Sequence, residues 1–399
     1  MHSPTSYIPT PLRRTHALRP QSMWSVTLKS LLLAALAAPV VLTPVALAQD
    51  SKDKVFELGS DKAKLGRITE ESLVEIVMQI EGGGKQTIAE ARVSRVLYGE
   101  GDAPFRKAQE AIEAGNAAGA LKELETLQPT REIFVPRRFY WLGRAYEVAG
   151  QPDKAIESYN QILSKHAKSR YARDCVRSLV DLQIRLQKFA DAIGTADKGV
   201  RIAEEIKRKE LVLDFRFIKA SAYESQGKAA EAEAEFKAVA GEAATAGPNA
   251  ARVGSMANIG QARLAAKSGD AARAKTILDP ILKGTDASLL GAAYGAMGEA
   301  LYAQGVKETN AEKLREAIFD NFLRALVQYP PNATDSTDPL EQAMLGCAKA
   351  YKKLSEVDKP KEQADSWKKL GVEICKEFRG RFPQSRLLKQ VEDLQKEFK

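Results

Sequence analysis

The sequence predicts a mainly α-helical protein, in which a solenoid of paired helices follows a small five-stranded, β-barrel-like module. Three observations predict this fold class. Helix-breaking residues recur at steps of 35 to 42 residues from about residue 103 onward. Short runs rich in Val and Ile are confined to residues 54–98. Aromatic residues make up only 7% of the 399 residues while alanine is abundant, which favours close packing of helix on helix.

Residues 1–48 have the layout of a targeting segment. An apolar run at 31–45, LLLAALAAPVVLTPV, follows Lys29 and precedes the small-residue site Ala46-Leu47-Ala48. This order is typical of a secretory signal peptide, and a run broken by two prolines is too short for a membrane span, which needs about 20 apolar residues. We therefore predict export to the periplasm or cell envelope of a bacterium, with no integral membrane span after signal cleavage.

Residues 49–100 form the predicted β module. Its strands are the runs KVFEL, KLGRIT, LVEIVMQI, KQTIAEA and RVSRVLY, and the third run alternates with one strongly apolar face. Five short strands in so few residues resemble a small curled barrel of the SH3-like or Sm-like type. Gly82-Gly83-Gly84 precedes Lys85, but the first glycine and the Ser or Thr of a phosphate-binding loop are missing, so we predict a hairpin turn.

From residue 101 to 399 the pattern is helical and repetitive. The helix-breaking markers are Gly115, Gly150, Gln187, Gly227, Gly269 and Gly305, and a small residue follows the first five markers after five positions, at Ala120, Ala155, Ala192, Ala232 and Ala274. One unit contains Phe139, Leu142, Gly143, Tyr146, Gly150, Ala155 and Tyr159, which matches W-x2-L-G-x2-Y followed by small and aromatic residues. The region therefore resembles the tetratricopeptide repeat family, with about six to seven units. An insertion after Gly305 displaces the second helix of the sixth unit to about 312–328.

The resemblance implies a superhelix that receives partners in a concave groove lined by the first helix of each pair. Carried over to this chain, the groove positions include Phe105, Asp181, Ser221, Glu224 and Ile259. The residues that we expect to contact a partner are Arg137, Tyr140, Arg144, Arg177, Phe217 and Arg263. Arginine and tyrosine dominate the energy of many interfaces, although ordinary amphipathic helix surfaces also carry them.

Residue types and spacing disfavour catalysis and cofactor binding. His166 is the only histidine after residue 48, and it lies in a polar stretch without a nucleophile motif. The sequence has no CxxC, HExxH, GxSxG or Walker A motif, so we predict no enzyme activity, no cofactor and no metal. The cysteines Cys175, Cys347 and Cys375 lie in helical patterns as small core residues, and pairing of Cys347 with Cys375 remains an alternative.

Charge leaves two classes of partner open. The formal net charge is +8, and without residues 1–48 the chain has 56 basic and 52 acidic residues. Because a dense basic stripe with aromatic stacking platforms is missing, we predict no nucleic-acid binding. We expect an envelope scaffold that binds a protein or peptide segment in the groove. The alternative is an adaptor that binds anionic envelope polymer or a membrane surface through basic C-terminal repeats, and self-association is also possible.

Overall fold

The computed structural model describes residues 52–330, 337–358, 361–383 and 385–398. The predicted signal peptide lies outside these described residues. Within them, no helix combines the length and the apolar character that a membrane crossing requires.

The N-terminal part is an antiparallel sheet of five strands. The strands are β1 (Asp53–Glu57), β2 (Ala63–Glu71), β3 (Glu75–Gln79), β4 (Lys85–Ala89) and β5 (Val93–Leu97), and a 3-10 turn, Glu90–Arg92, precedes β5. All five predicted strands are present. Gly82 and Gly83 have φ values of 89° and 84°, and Ile80 N donates to Gly84 O at 2.9 Å, which confirms the hairpin turn.

The sheet is curled but open. Its order is β4-β3-β2-β1-β5, and the nine-residue β2 pairs with β1 through its first half and with β3 through its second half. Val55, Ile68, Ile76, Met78 and Ile88 form its core. Since the edge strands β4 and β5 do not pair with each other, the barrel-like prediction is corrected to an open sheet, against whose core Tyr98 and Ile133 pack.

The remainder of the described chain is helical. The helices are α1 (Ala103–Glu113), α2 (Ala117–Glu125), α3 (Phe134–Val148), α4 (Pro152–Lys165), α5 (Ala172–Arg185), α6 (Phe189–Glu205), α7 (Lys209–Gln226), α8 (Ala229–Ala243), α9 (Pro248–Lys267), α10 (Ala271–Leu282), α11 (Ala287–Glu308), α12 (Ala311–Glu316), α13 (Asp338–Val357), α14 (Lys361–Arg381) and α15 (Leu388–Glu397). After α12 the helix continues in π-helical turns, Ala317–Phe322 and Arg324–Gln328. These helices form seven consecutive pairs, and α15 packs on the last pair.

Left-handed turn residues separate the two helices of the first five pairs. The predicted markers have φ values of 71° at Gly115, 68° at Gly150, 59° at Gln187, 84° at Gly227 and 83° at Gly269. This conformation lets the chain reverse within three residues. The five alanines that follow these markers, Ala120, Ala155, Ala192, Ala232 and Ala274, are fully buried, as the resemblance to tetratricopeptide repeats predicts.

Gly305 does not form a turn. It lies within α11, which continues to Glu308, and the left-handed residue is Thr309 with a φ of 51°. A Cβ at Gly305 would lie 2.9 Å from Leu314 Cγ, so this glycine permits close approach of the two helices. The predicted displacement of the second helix is confirmed, because α12 and its π-helical continuation cover 311–328.

The three thiols are buried and free. Burial raises the pKa of Cys175 and Cys347, and it raises the pKa of Cys375 to about 11. Protonated thiols of this kind are poor nucleophiles at neutral pH. The cysteines therefore serve as small core residues, and Cys347 is not bonded to Cys375.

Candidate functional site

The helical stack forms a cavity of about 670 Å³ that is open to solvent. The helices α5, α7 and α9, which are the first helices of three consecutive pairs, line it with Val180, Phe217 and Met256 among others. Ile112 at the end of α1 and Phe382 just after α14 line the same cavity. The first and last helical pairs therefore face one another across a common space.

Half of the six residues predicted to contact a partner line this cavity. They are Arg177, Phe217 and Arg263, and two further groove positions, Asp181 and Ser221, join them. The groove assignment is wrong for Phe105 and Ile259, which are 1% and 2% exposed and belong to the hydrophobic core. The groove positions that the resemblance implies therefore lie in the cavity lining only for the third, fourth and fifth helical pairs.

Arg137 is buried in the interior rather than placed in the groove. It is 7% exposed, and its Nη1 lies 2.6 Å from Asp102 Oδ1. The guanidinium carbon lies 4.4 Å from the ring centroids of both Tyr98 and Phe105. Because α1 and the residue after β5 cover the start of α3, Arg137 is a structural residue, and this prediction is corrected.

Tyr140 and Arg144 are half-buried and lie outside the cavity lining. The Tyr140 ring packs against Trp141, Tyr171 and Tyr159, with centroid distances of 5.3, 5.7 and 6.2 Å. Burial raises the pKa of Tyr140, and the nearby Arg144 opposes this rise. The pair stabilises the aromatic contact of α3 with the start of α5.

Carboxylates already neutralise the arginines that line the cavity. Arg177 Nη2 lies 3.0 Å from Asp214 Oδ1, and Arg263 Nη2 lies 2.6 Å from Glu224 Oε2. The remaining pairs are Arg185 with Glu147, Arg381 with Glu377 and Arg386 with Asp338. Five guanidinium groups therefore give the wall polar character without leaving an uncompensated positive charge.

Glu224 is held by two cations. Its side chain is 6% exposed and contacts both Arg263 and Lys267, the latter at 2.7 Å from Nζ to Oε1. Burial opposes ionisation, but the two cations outweigh it and lower the pKa of Glu224 to about 2. The group remains ionised throughout the physiological pH range and holds α7 against α9.

Asp181 differs from the other acids of the cavity. It lies on α5 and its side chain is exposed to the cavity, and no described cation lies within 4 Å of it. Protein atoms crowd the carboxylate even though its side chain reaches the open cavity, and the resulting loss of hydration raises the pKa of Asp181 to about 6. Arg177 and Arg185 on its own helix oppose the rise, whereas Asp338 and Glu147 add to it.

A second polar cluster joins the β sheet to the helices. Both carboxylate oxygens of Asp53 accept from Arg131, at 3.0 and 2.6 Å. They also accept from the backbone nitrogens of Ile68 and Gly99, at 2.7 and 2.9 Å. Asp53 is 1% exposed, so all of its hydrogen-bonding capacity is used to attach β1 to the chain before α3.

Two more connections extend this attachment along the stack. Leu73 N donates to Lys168 O at 2.9 Å in the loop before α5, and Leu73 O accepts from Arg208 just before α7. The side chain of Leu73 is 2% exposed and belongs to the core of the helices. The sheet is thereby bonded to the loops that precede α3, α5 and α7.

Sequence reasoning missed the contribution of the last helical pair to the cavity. Asp338 follows Thr337, the N-cap residue of α13, and pairs with Arg386 at 2.6 Å inside the cavity lining. No local pattern signals this placement, because it depends on the curvature of the whole stack. Among the described residues, no group of three or more His, Cys, Asp or Glu side chains is arranged to hold a metal ion.

Comparisons with known proteins agree with the helical fold. Residues 136–164, which cover most of α3 and α4, match the sequence model of the tetratricopeptide repeat. No curated protein matches the sequence.

Solved structures of similar architecture include three tetratricopeptide proteins. A tetratricopeptide repeat protein from Parabacteroides merdae is 14% identical, with 74% of this chain and 98% of that chain covered and a TM-score of 0.46. The TPR2AB domain of yeast Sti1 in a complex with pHSP90 is 14% identical, with coverages of 66% and 98% and a TM-score of 0.25. The P58(IPK) TPR domain is 15% identical, with coverages of 65% and 67% and a TM-score of 0.27. At these identities the likeness concerns the fold alone.

The tetratricopeptide-type α-α superhelix predicted from the sequence is confirmed. Stacks of this kind present extended concave surfaces to partners, and the fold supports a scaffold for protein–protein interaction. Such repeats are typically non-catalytic.

Proposed function

We propose that this protein is a non-catalytic scaffold of the bacterial cell envelope that binds an extended segment of a protein partner inside the central cavity. The observation that carries the proposal is the cavity itself. Its volume of about 670 Å³ lies within the range of about 300–1,000 Å³ that is usual for ligand sites. The half-buried side chains of Phe217 and Met256 supply apolar surface between the paired charges.

Export is supported by the layout of residues 1–48. The three buried, free cysteines are compatible with it, because burial protects a thiol from oxidation. The protein recovered from the envelope is expected to begin near Gln49. N-terminal sequencing of that protein tests the proposal, and recovery of an uncleaved chain from the cytoplasm would contradict it.

No observation favours the alternative of a basic C-terminal surface for anionic polymer or lipid. Most of the described lysines and arginines of the last three helices pair with acids beside them. Examples are Lys352 with Glu356, Lys376 with Glu373 and Lys396 with Asp393, all within 3 Å. Such alternating pairs form a charge-balanced surface rather than a basic stripe, so we propose the cavity as the binding site.

Site-specific photo-crosslinking tests the cavity directly. A photoreactive phenylalanine analogue replaces Ser225, which lines the cavity on α7. The matched control carries it at Lys237, an exposed position on α8, the second helix of the same pair. We expect Ser225 to crosslink defined segments of one or a few envelope proteins and Lys237 not to do so. Equal products from both positions, or none from Ser225, would contradict the proposal.

A further inference from the structure

We propose that the segment bound in the cavity carries a lysine or arginine side chain that pairs with Asp181 and is flanked by apolar residues. This inference rests on the proposed function and specifies the chemistry of its ligand. The inference rests on a comparison of the charged side chains of the cavity wall, some of which have a partner in the protein and some of which have none.

The arginines of the wall do not need a ligand anion. Each of the five, Arg177, Arg185, Arg263, Arg381 and Arg386, contacts a carboxylate of the protein within 4 Å. An acidic segment would have to break one of these pairs to bind a guanidinium group. Breaking a buried or half-buried pair leaves the displaced carboxylate without a partner, which costs more than the new pair returns.

The acids of the wall behave differently. Besides Asp338, the cavity is lined by Glu113, Asp181 and Glu341. Glu113 accepts a hydrogen bond from Gln109 at 2.9 Å, and Glu341 accepts from Thr337 at 2.7 Å and from Ser385. Within the described chain, Asp181 has neither a hydrogen bond nor a cation within 4 Å. Glu113 and Glu341 also have no described cation within 4 Å, but each accepts hydrogen bonds, so Asp181 is the lining acid with no described partner of either kind and is the group that we expect a ligand cation to contact.

The surroundings of Asp181 also fit the aliphatic part of such a side chain. The accessible apolar side chains of the lining are Phe217 on α7 and Met256 on α9, whereas Val180, Ile184 and Ile218 are at most 8% exposed and belong to the core behind them. Lysine and arginine bury their methylene stems against apolar surface while the charged end reaches a polar group. An apolar wall beside one unpaired carboxylate is complementary to a basic residue between apolar neighbours.

The pairing makes binding depend on pH. Burial raises the pKa of Asp181 to about 6, and the charged groups that face it are Arg177, Arg185, Asp338 and Glu147. At pH 7.5 the carboxylate is ionised and pairs with a cation, whereas at pH 5 it is mostly protonated and does not. Binding of a basic segment is expected to weaken about tenfold from pH 7.5 to pH 5, in line with a loss of one ionised group of pKa about 6.

The test is selection from a random hexapeptide library that is acetylated and amidated, so that the peptide termini carry no charge. The full chain is immobilised at pH 7.5, and bound peptides are sequenced by mass spectrometry. We expect Lys or Arg to be enriched about tenfold over Glu at one position, because a basic side chain forms a charge-assisted hydrogen bond with the carboxylate. Asp181→Asn is expected to abolish this preference, whereas Asp174→Asn, an exposed acid on the same helix outside the cavity lining, is expected to keep it.

Three outcomes would overturn the inference, and they separate it from the proposed function. Enrichment of Asp or Glu, or of apolar residues alone, with products that still crosslink to the analogue at Ser225, refutes the basic ligand and leaves the cavity as the site. An unchanged Lys preference in Asp181→Asn, or binding that does not weaken at pH 5, refutes the role of Asp181. Failure of every peptide to bind, together with no product at Ser225, refutes both proposals.

Discussion

Replacing Arg131 by methionine tests how firmly the β sheet is attached to the helices. The side chains of Arg131 and Asp53 are 7% and 1% exposed. Removing one partner of a buried ion pair costs about 3–5 kcal/mol because the other charge is left uncompensated. Asp53 keeps two backbone donors, from Ile68 and Gly99, so we expect the lower end of this range, about 3 kcal/mol.

Native-state hydrogen exchange is the suitable assay, since a repeat stack need not unfold in one step. A loss of about 3 kcal/mol corresponds to amide exchange about a hundredfold faster in β1 and β2, with little change in α7–α10. The control is Arg67→Met in the same sheet. The Arg67 side chain is 63% exposed and lies 3.8 Å from Glu100, so its loss is expected to cost less than about 1 kcal/mol. Equal exchange rates in the two variants would refute the argument.

Further predictions concern helix packing and pH. Gly143→Ala would place a Cβ against the ring of the fully buried Tyr159, and we expect urea unfolding to show a free energy of unfolding lower by about 2–3 kcal/mol. The control is Gly194→Ala, where a Cβ would have nothing within 4 Å and where we expect the free energy of unfolding to rise by about 0.5–1 kcal/mol. An equal effect of the two substitutions would contradict the packing argument. Glu224, whose pKa is lowered to about 2, contributes stability that is full above pH 4.5 and is lost as the pH falls toward 2. Glu224→Gln is therefore expected to lower the thermal midpoint at pH 7 but not at pH 2, and a pH-independent difference would argue against this ion pair. Asp181 has a raised pKa of about 6, so its contribution to the stability of the folded state falls as the pH rises from 4 to 6. The thermal midpoint of Asp181→Asn is therefore expected to exceed that of the unsubstituted protein by more at pH 7.5 than at pH 4. An equal difference between the two midpoints at both pH values would contradict the raised pKa.

Local patterns predicted the elements of this fold well. Gly115 and Gly150 stand at fixed spacing and adopt the left-handed conformation that a short turn requires. The same rule failed at Gly305, which has the spacing of a turn residue but is needed for its small size against Leu314. A glycine can either adopt a left-handed turn or leave room for a neighbouring helix. Which of the two applies depends on how the neighbouring helix packs, and the local sequence does not show this.

The site was less predictable because it depends on contacts distant in sequence. Arg137 has the spacing of a groove residue, but the chain around Asp102 covers it. Asp53 and Arg131 are 78 residues apart, and nothing near either residue indicates their pairing. Closure of the cavity by the last pair follows from small rotations summed over all the pairs, which no single repeat encodes.

The bonds between the sheet and the helices have a mechanical consequence. A stack of helical pairs deforms like a spring, in which every interface between pairs takes a share of the strain. The sheet is bonded to the loops before α3, α5 and α7. It therefore spans the first three interfaces between pairs and resists their bending. We expect bending to be concentrated in the later interfaces, where the described residues of the sheet make no such bonds. Opening or narrowing of the cavity would then come mainly from displacement of its C-terminal side.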